Sequence, residues 1–192
     1  LAWRAGQVPA WVPAEVPLGY WCVSLLGAVL LLLPKGVPFR VLGWPMLLLA
    51  VFPPRELVPH GQIEVVQLDV GQGQSVVLRT RHHTLLYDAG PRSGTFDLGA
   101  RVVLPSLRKL GVRELDIMLL SHADADHAGG APAIANGMPI KRVMGGETQG
   151  LPAFLGTQPC LSGERWAWDG VLFELWQWPD ATNGNAKSCV LQ

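Results

Sequence analysis

The stretch Ser121-His122-Ala123-Asp124-Ala125-Asp126-His127-Ala128-Gly129-Gly130 decides how the rest of the chain is read. It places four potential metal ligands, His122, Asp124, Asp126 and His127, within six residues. Imidazole and carboxylate bind divalent cations, and alternation of the first three lets a tight loop aim them into one space. The bland alternative is a solvated acidic loop in which Asp126 caps a helix, an ordinary use of Asp. Two histidines bracketing two aspartates exceed what a cap requires, and Gly129-Gly130 marks a point where backbone approaches something closely.

Ahead of this stretch, Leu115 to Leu120 is almost wholly apolar and reads as a central strand that delivers the chain into the loop. Further upstream, residues 63–70, 75–80 and 84–88 read as strands, with a turn at Gly71-Gln72-Gly73-Gln74 and a hairpin around Arg81-His82-His83. A polar, Gly-rich loop covers 89–95. Val102, Val103, Leu107 and Leu110 then share one helical face, with Pro105 in a first turn and Gly111 as the stop. Residues 145–163 read as a long connection with a short helix near Pro152-Ala153-Phe154-Leu155. From Gly61 onward the pattern is that of a mixed α/β domain.

The first sixty residues are different. Of 192 residues, 49% are hydrophobic and 16% charged, which excludes a disordered tail. Residues 1–60 hold four basic and two acidic side chains, against eleven and thirteen in 61–192. The uncharged runs 16–34 and 41–54, nineteen and fourteen residues, read as a transmembrane helix and a short second span. Residues 1–60 are therefore expected to be a membrane region, and 61–192 a separate domain. Lys35 and Arg40 between the runs place that loop in the cytoplasm and the following domain on the outer face, although Arg55 weakens the count. If the second run does not cross, the domain falls on the cytoplasmic side. Trp11, Trp21 and Trp44 suit interfacial anchoring or plain apolar packing. The start at Leu1 and the stop at Gln192 read as those of a fragment. Cys22 lies in the apolar run; Cys160 and Cys189 are left either as a disulfide pair, which fits an oxidising compartment, or as two separate thiols.

The ligand loop resembles the metal-binding signature of the metallo-β-lactamase superfamily, His-x-His-x-Asp-His. Leu68-Asp69-Val70-Gly71-Gln72-Gly73, Leu85-Leu86-Tyr87-Asp88-Ala89-Gly90, Val102-Val103-Leu104-Pro105 and Trp166-Ala167-Trp168-Asp169-Gly170-Val171 resemble more narrowly the hydrolase-like domain of the ComEC family of competence proteins, which form bacterial DNA-uptake channels. The resemblance implies a partial metallo-β-lactamase-type αββα sandwich over 61–192, incomplete at its C-terminus, preceded by the family's last membrane helices. It implies two divalent ions, manganese or zinc, with His122 and Asp124 serving one site and Asp126 and His127 the other. Asp124 stands where the superfamily commonly has His, and the harder oxygen donor shifts preference toward manganese. The superfamily's later ligands do not occur before Gln192, so only part of the active site is expected here.

By the same resemblance Asp88 supports the metal loop through hydrogen bonds, though an Asp before a Gly turn is commonplace, and Asp69, Gln72, Gly71 and Gly73 form a loop beside the site or simply a tight turn. His82 and His83 are expected to be exposed rather than ligating. Residues 79–113 carry seven basic and two acidic side chains. Arg79, Arg81, Arg101 and Arg108 are thus candidates for phosphate contacts, or parts of an ordinary solvated rim. The expected function is a metal-dependent nuclease acting on the non-imported DNA strand in natural transformation. DNA, single-stranded or duplex, the inner membrane and other competence proteins are its expected partners, with the domain on the periplasmic side. The alternatives are a DNA-binding or gating module with a non-catalytic metal site, and another hydrolase of the superfamily acting on a lactam or thioester.

Overall fold

The computed structural model describes residues 17–34, 36–52, 57–181 and 184–192, and the chain divides into two compact units, Leu1–Glu56 and Leu57–Gln192. In the first unit, α1 (Leu18–Leu32) and α2 (Gly43–Val51) form a helical hairpin. Small residues set their approach. A side chain on Gly27 would meet Met46 and the Gly43 carbonyl, and Ser24 Oγ donates to the Met46 carbonyl at 2.9 Å. Arg40 donates from Nε and Nη2 to the Leu31 carbonyl at 2.9 and 2.7 Å, so it closes the C-terminal end of α1.

These helices are shorter than the apolar runs that contain them. At 1.5 Å per residue α1 is about 22 Å long and α2 about 14 Å, against a hydrocarbon core of about 30 Å. Among the described residues no helix is long and apolar enough to cross a membrane. The cause is local: Leu33 is extended (φ −65°, ψ 153°) because it precedes Pro34, which ends α1. Trp11, Val16, Lys35, Pro53, Pro54 and Arg55, on which the expected spans and their orientation partly rest, lie outside the described residues.

The second unit is built on a six-stranded sheet. In chain order its elements are β1 (Glu64–Gln67), β2 (Val76–Arg79), β3 (Thr84–Tyr87), the small hairpin β4 (Arg92–Ser93) and β5 (Phe96–Asp97), α3 (Leu104–Lys109), β6 (Leu115–Leu120), α4 (Ala125–Ala128), α5 (Ala131–Gly137), β7 (Ile140–Gly145), β8 (Gln158–Pro159), β9 (Arg165–Trp168), β10 (Val171–Trp176) and β11 (Val190–Leu191). The main sheet runs β1-β2-β3-β6-β7-β8, antiparallel up to β3 and parallel beyond it. β6 is central and alternates faces as a buried strand must. Met118 and Leu120 join Leu86, Val103, Leu107 and Ile134 under the helices, while Ile117 and Leu119 join Leu85, Met144 and Leu175 under a second sheet, β11-β10-β9. Leu85, Leu86, Met118 and Leu119 are fully buried, each worth about 1.5–3 kcal/mol in removed apolar surface. Helix layer, main sheet and second sheet give the α/β fold expected of the motif region.

Two details depart from simple periodicity. The helix expected over 102–110 opens as a π-turn, Gly99–Val103, in which the Leu104 N–H reaches the Gly99 carbonyl. Pro105 has no N–H for the carbonyl four residues back, and its ring crowds that carbonyl, so the wider turn fits. The β9–β10 turn is Asp169-Gly170, both at positive φ (49° and 86°), the two-residue geometry that follows strand twist. Asp169 Oδ2 accepts from Thr80 Oγ1 at 2.7 Å and the His82 N–H at 2.8 Å, and lies 3.0 Å from His83 Nδ1, whose ring stacks on Trp168. One carboxylate thus fastens two hairpin tips. Cys160 and Cys189 are bonded in a disulfide, and Cys22 is a free, exposed thiol.

Candidate metal centre

Parallel pairing of β3 with β6 sets Tyr87 opposite Leu119, so the next residues of both strands meet at one end of the sheet. Those residues are Asp88 and Ser121. Asp88 is fully buried and left-handed (φ 59°), a conformation Asp tolerates better than most side chains. Its Oδ1 accepts the Ser121 N–H at 2.7 Å. Its Oδ2 accepts Ser121 Oγ at 2.8 Å and lies 2.7 Å from His127 Nδ1. Ser121 Oγ in turn lies 2.9 Å from His122 Nδ1. Because the hydroxyl proton goes to Asp88, the remaining bond is a donation from His122 Nδ1, and His127 Nδ1 likewise donates to the carboxylate. Both imidazoles therefore carry their proton on Nδ1 and present a lone pair at Nε2.

That is the arrangement a cation requires. His122 Nε2 is buried and has no hydrogen-bond partner among the described residues, a costly state unless another ligand completes it. It lies 3.3 Å from Asp124 Oδ2, without hydrogen-bond geometry, and His127 Nε2 lies 3.5 Å from Asp126 Oδ2. The two rings are 4.2 Å apart, and one ligand atom each from His122, Asp126 and His127 fall within 4.8 Å of one another. The donor set, two nitrogens and carboxylate oxygens, fits a divalent ion.

Asp124, not Asp126, occupies the position before α4, and its side chain makes no capping bond. The helix-cap explanation for the acidic residues therefore fails: the carboxylates face the histidines instead. Gly129 and Gly130 approach protein backbone. A side chain on Gly129 would meet the Ala125 carbonyl and the backbone of Arg92; one on Gly130 would meet the Ala89 carbonyl and Gly99. Gly73 (φ 140°) is pressed in the same way on the Asp126 carbonyl, and the Gln74 N–H donates to that carbonyl at 3.3 Å. The 69–74 turn thus borders the ligand loop; Asp69 closes it by accepting the Gly71 N–H at 3.3 Å, and Gln72 is exposed.

The arginines are not gathered here. Arg79 pairs with Glu64 at 2.8 Å, and Arg81 sits on the hairpin tip, both toward the end of β2 remote from Gln74 and the loop. Arg108 donates to the Gly137 carbonyl at the end of α5. Arg101 follows Gly99, which meets Gly130 of the ligand loop, and its guanidinium lies 4.9 Å from the ring centre of Phe96.

Sequence reasoning gave no role to Ser121, Tyr87 or Ser188. Tyr87 donates to the Cys189 carbonyl at 2.6 Å; burial, reinforced by the Asp88 charge, pushes its phenol up to about 12. The Cys189 N–H donates to the Ser121 carbonyl at 2.8 Å, and Ser188 Oγ lies 3.4 Å from His122 Nδ1. The disulfide-tied segment thus buttresses the loop from the second sheet. These contacts join residues up to 102 positions apart, which no local spacing announces.

Residues 68–181 match the metallo-beta-lactamase superfamily. The chain is 40% identical over its whole length to the protein named Competence protein ComA of Neisseria gonorrhoeae, of which it spans 27%. It is 31% identical over 52% of its length to ComE operon protein 3 of Bacillus subtilis strain 168, spanning 14% of that protein. The chain thus covers about a quarter or less of these curated relatives. Among solved structures, the metallo-beta-lactamase SMB-1 in complex with mercaptoacetic acid superposes with a TM-score of 0.50 at 19% identity, covering 70% of this chain and 56% of that one, a likeness of fold. Members of the superfamily bind divalent metals, in keeping with the Nε2 and carboxylate donors above. The chain belongs to the metallo-beta-lactamase superfamily, and within it to the ComEC family of competence proteins.

Proposed function

We propose that this chain is part of a DNA-internalisation protein and that its second unit hydrolyses phosphodiester bonds with two divalent ions, manganese or zinc, degrading the strand that is not imported. The observation that carries this reading is the pair of Nε2 atoms whose opposite nitrogens are fixed by Asp88 and Ser121. His122 and Asp124 would hold one ion, Asp126 and His127 the other. When bound, such ions activate water and stabilise charge on the attacking and leaving oxygens of an in-line displacement. The protein's own part is orientation: Asp88 keeps His127 in one tautomer, Ser121 does so for His122, and the glycine contacts fix the loop on which both stand.

Attachment to the inner membrane, with the second unit on the periplasmic side, belongs to the same proposal. The α1–α2 hairpin exposes Leu18, Leu25, Leu26, Leu32, Leu42 and Trp44, an apolar surface that suits lipid or further protein. Its close approach at Gly27 and Gly43 is of the small-residue kind used between helices in membranes. The Cys160–Cys189 disulfide suits an oxidising compartment.

The test is cleavage of labelled single- and double-stranded DNA by the full-length protein loaded with manganese or zinc. Cleavage is expected, abolished by His122→Ala or Asp126→Asn while DNA remains bound. If both substrates survive, the reading passes to a module that holds DNA around a non-catalytic ion. A specific observation supports that rival: the described cluster offers three ligand residues within reach of one another, fewer than two catalytic ions require.

A further inference from the structure

The β4–β5 hairpin has a feature that the fold alone does not call for. Phe96 is 49% exposed at its edge, and the guanidinium of Arg101 lies over the ring, 4.9 Å from its centre. The cation covers one face of the ring, and about half of the residue's surface stays exposed. Arg92 stands on the paired strand, its Nε 3.8 Å from Asp97, and Asp97 also accepts the Ala100 N–H at 3.0 Å. Arg92 and Asp97 are cross-strand partners and share one face of the hairpin, so Phe96, opposite Ser93, stands on the other with Arg101. Its position is fixed: Gly129 meets the backbone of Arg92, Gly130 meets Gly99, and the Leu98 N–H closes the hairpin on the Pro91 carbonyl at 3.0 Å. These are the two glycines that end the ligand loop, so the hairpin borders the candidate metal centre through main-chain contacts.

We propose that Phe96 and Arg101 form a nucleobase-stacking step for single-stranded nucleic acid beside the ligand loop, with a base on the exposed part of the Phe96 ring and a neighbouring phosphate on Arg101. The inference rests on the DNA-processing reading above and deepens it, since it selects single strands over duplexes. A base in a duplex has both faces covered by its neighbours, whereas an unpaired base offers one to an aromatic ring. Arginine behind the ring suits the same ligand, because the chain that carries the base also carries phosphate. A membrane surface is the competing partner for an exposed Phe beside an arginine. The seating of the hairpin on Gly129 favours the strand, because that glycine follows closely on Asp126 and His127 in the same loop.

The experiment uses the full-length protein with chelator present, so that nothing is cut, and fluorescence anisotropy on a labelled oligothymidine and on an abasic strand of equal length. The abasic strand keeps the phosphates and lacks the bases. Phe96→Ala is expected to weaken oligothymidine binding about tenfold and to leave abasic binding unchanged, with Phe96→Trp restoring it. Arg101→Gln is expected to weaken both strands and to lower the salt dependence by about one unit of slope. Equal losses on both strands for Phe96→Ala, or no loss on either, overturn the stacking step. Loss of binding to phosphatidylglycerol vesicles with oligothymidine binding intact overturns it in favour of membrane contact. Metal-loaded cleavage by wild type is read separately: cleavage with an unaffected Phe96→Ala removes this proposal and leaves the nuclease reading standing, while base-dependent binding without cleavage does the reverse.

Discussion

The carboxylate of Asp88 holds the Nδ1 of His127 at 2.7 Å from a strand that is parallel neighbour to the one carrying the ligand loop. The same carboxylate accepts the Ser121 N–H and hydroxyl, so one buried side chain sets the position of the loop and the tautomer of its last ligand. Asp88→Asn keeps the left-handed backbone accessible but offers an NH2 where two donors already point. Manganese and zinc affinities, read by competition with a chromophoric chelator, are expected to fall by about 10–100-fold. Unchanged affinity would falsify the supporting role.

The loop is also seated through glycine. Gly130→Ala puts a methyl group into the Ala89 carbonyl and Gly99, neither of which is the flexible end of a side chain. A destabilisation of about 1–3 kcal/mol is expected from the forced backbone shift, measured as a lower urea midpoint. A midpoint equal to wild type would mean that the contact relaxes freely.

Much of the fold was open to reading in the sequence, and the reasons are local. Residues 63–88 alternate and turn at glycines, 115–120 is continuously apolar, and the two histidines and two aspartates lie within six residues, so strands, central position and ligands follow from period and chemistry. Within the run 16–34, α1 stops at Leu32 because Leu33 precedes Pro34, a boundary that apolarity alone does not mark. Charge counting gathered Arg79 and Arg108 with Arg101, but an arginine's role depends on its neighbour: Glu64 takes one and the Gly137 carbonyl another. Ser121 as the link between Asp88 and His122, and Asp169 as the fastener of Thr80, His82 and His83, depend on which strands lie side by side. Spacing does not encode that.

Cys160 and Cys189 close a loop of separation 29, and the bond holds down the segment whose Cys189 N–H reaches the Ser121 carbonyl. Replacing both by Ser is expected to lower stability by about 3–4 kcal/mol on the chain-entropy estimate. Thermal unfolding with and without reductant checks it: reductant lowers the wild-type midpoint and leaves the double variant where it was. A wild-type midpoint indifferent to complete reduction would rule the contribution out.

Two groups give the stability a dependence on pH at opposite ends. The Thr80 hydroxyl, then His83 and the His82 N–H, hold the Asp169 carboxyl well below the usual carboxylate range against the opposing effect of desolvation. A lowered folded value means stabilisation that is complete above about pH 4 and lost as pH falls below it. The melting-temperature gap between wild type and Asp169→Asn is therefore expected to be widest at neutral pH and to narrow in acid. Tyr87 has the opposite sign. With its phenol raised to about 12, its contribution is complete below about pH 10 and lost as pH rises from there, so the gap to Tyr87→Phe narrows in alkali. A gap that stays constant across its range refutes the linkage for that residue.

The ligand loop is fixed by main-chain seats at Gly73, Gly129 and Gly130 and by the buried Asp88–Ser121 bonds, whereas the carboxylates of Asp124 and Asp126 project from it half-exposed. Scaffold and ligand chemistry are thereby separable. Asp124 does not seat the loop, so exchanging it for His is expected to change the donor offered there, and with it any cation preference, while the backbone stays in place. The loop is thus a socket, whose seat in the backbone does not depend on which donor stands at 124.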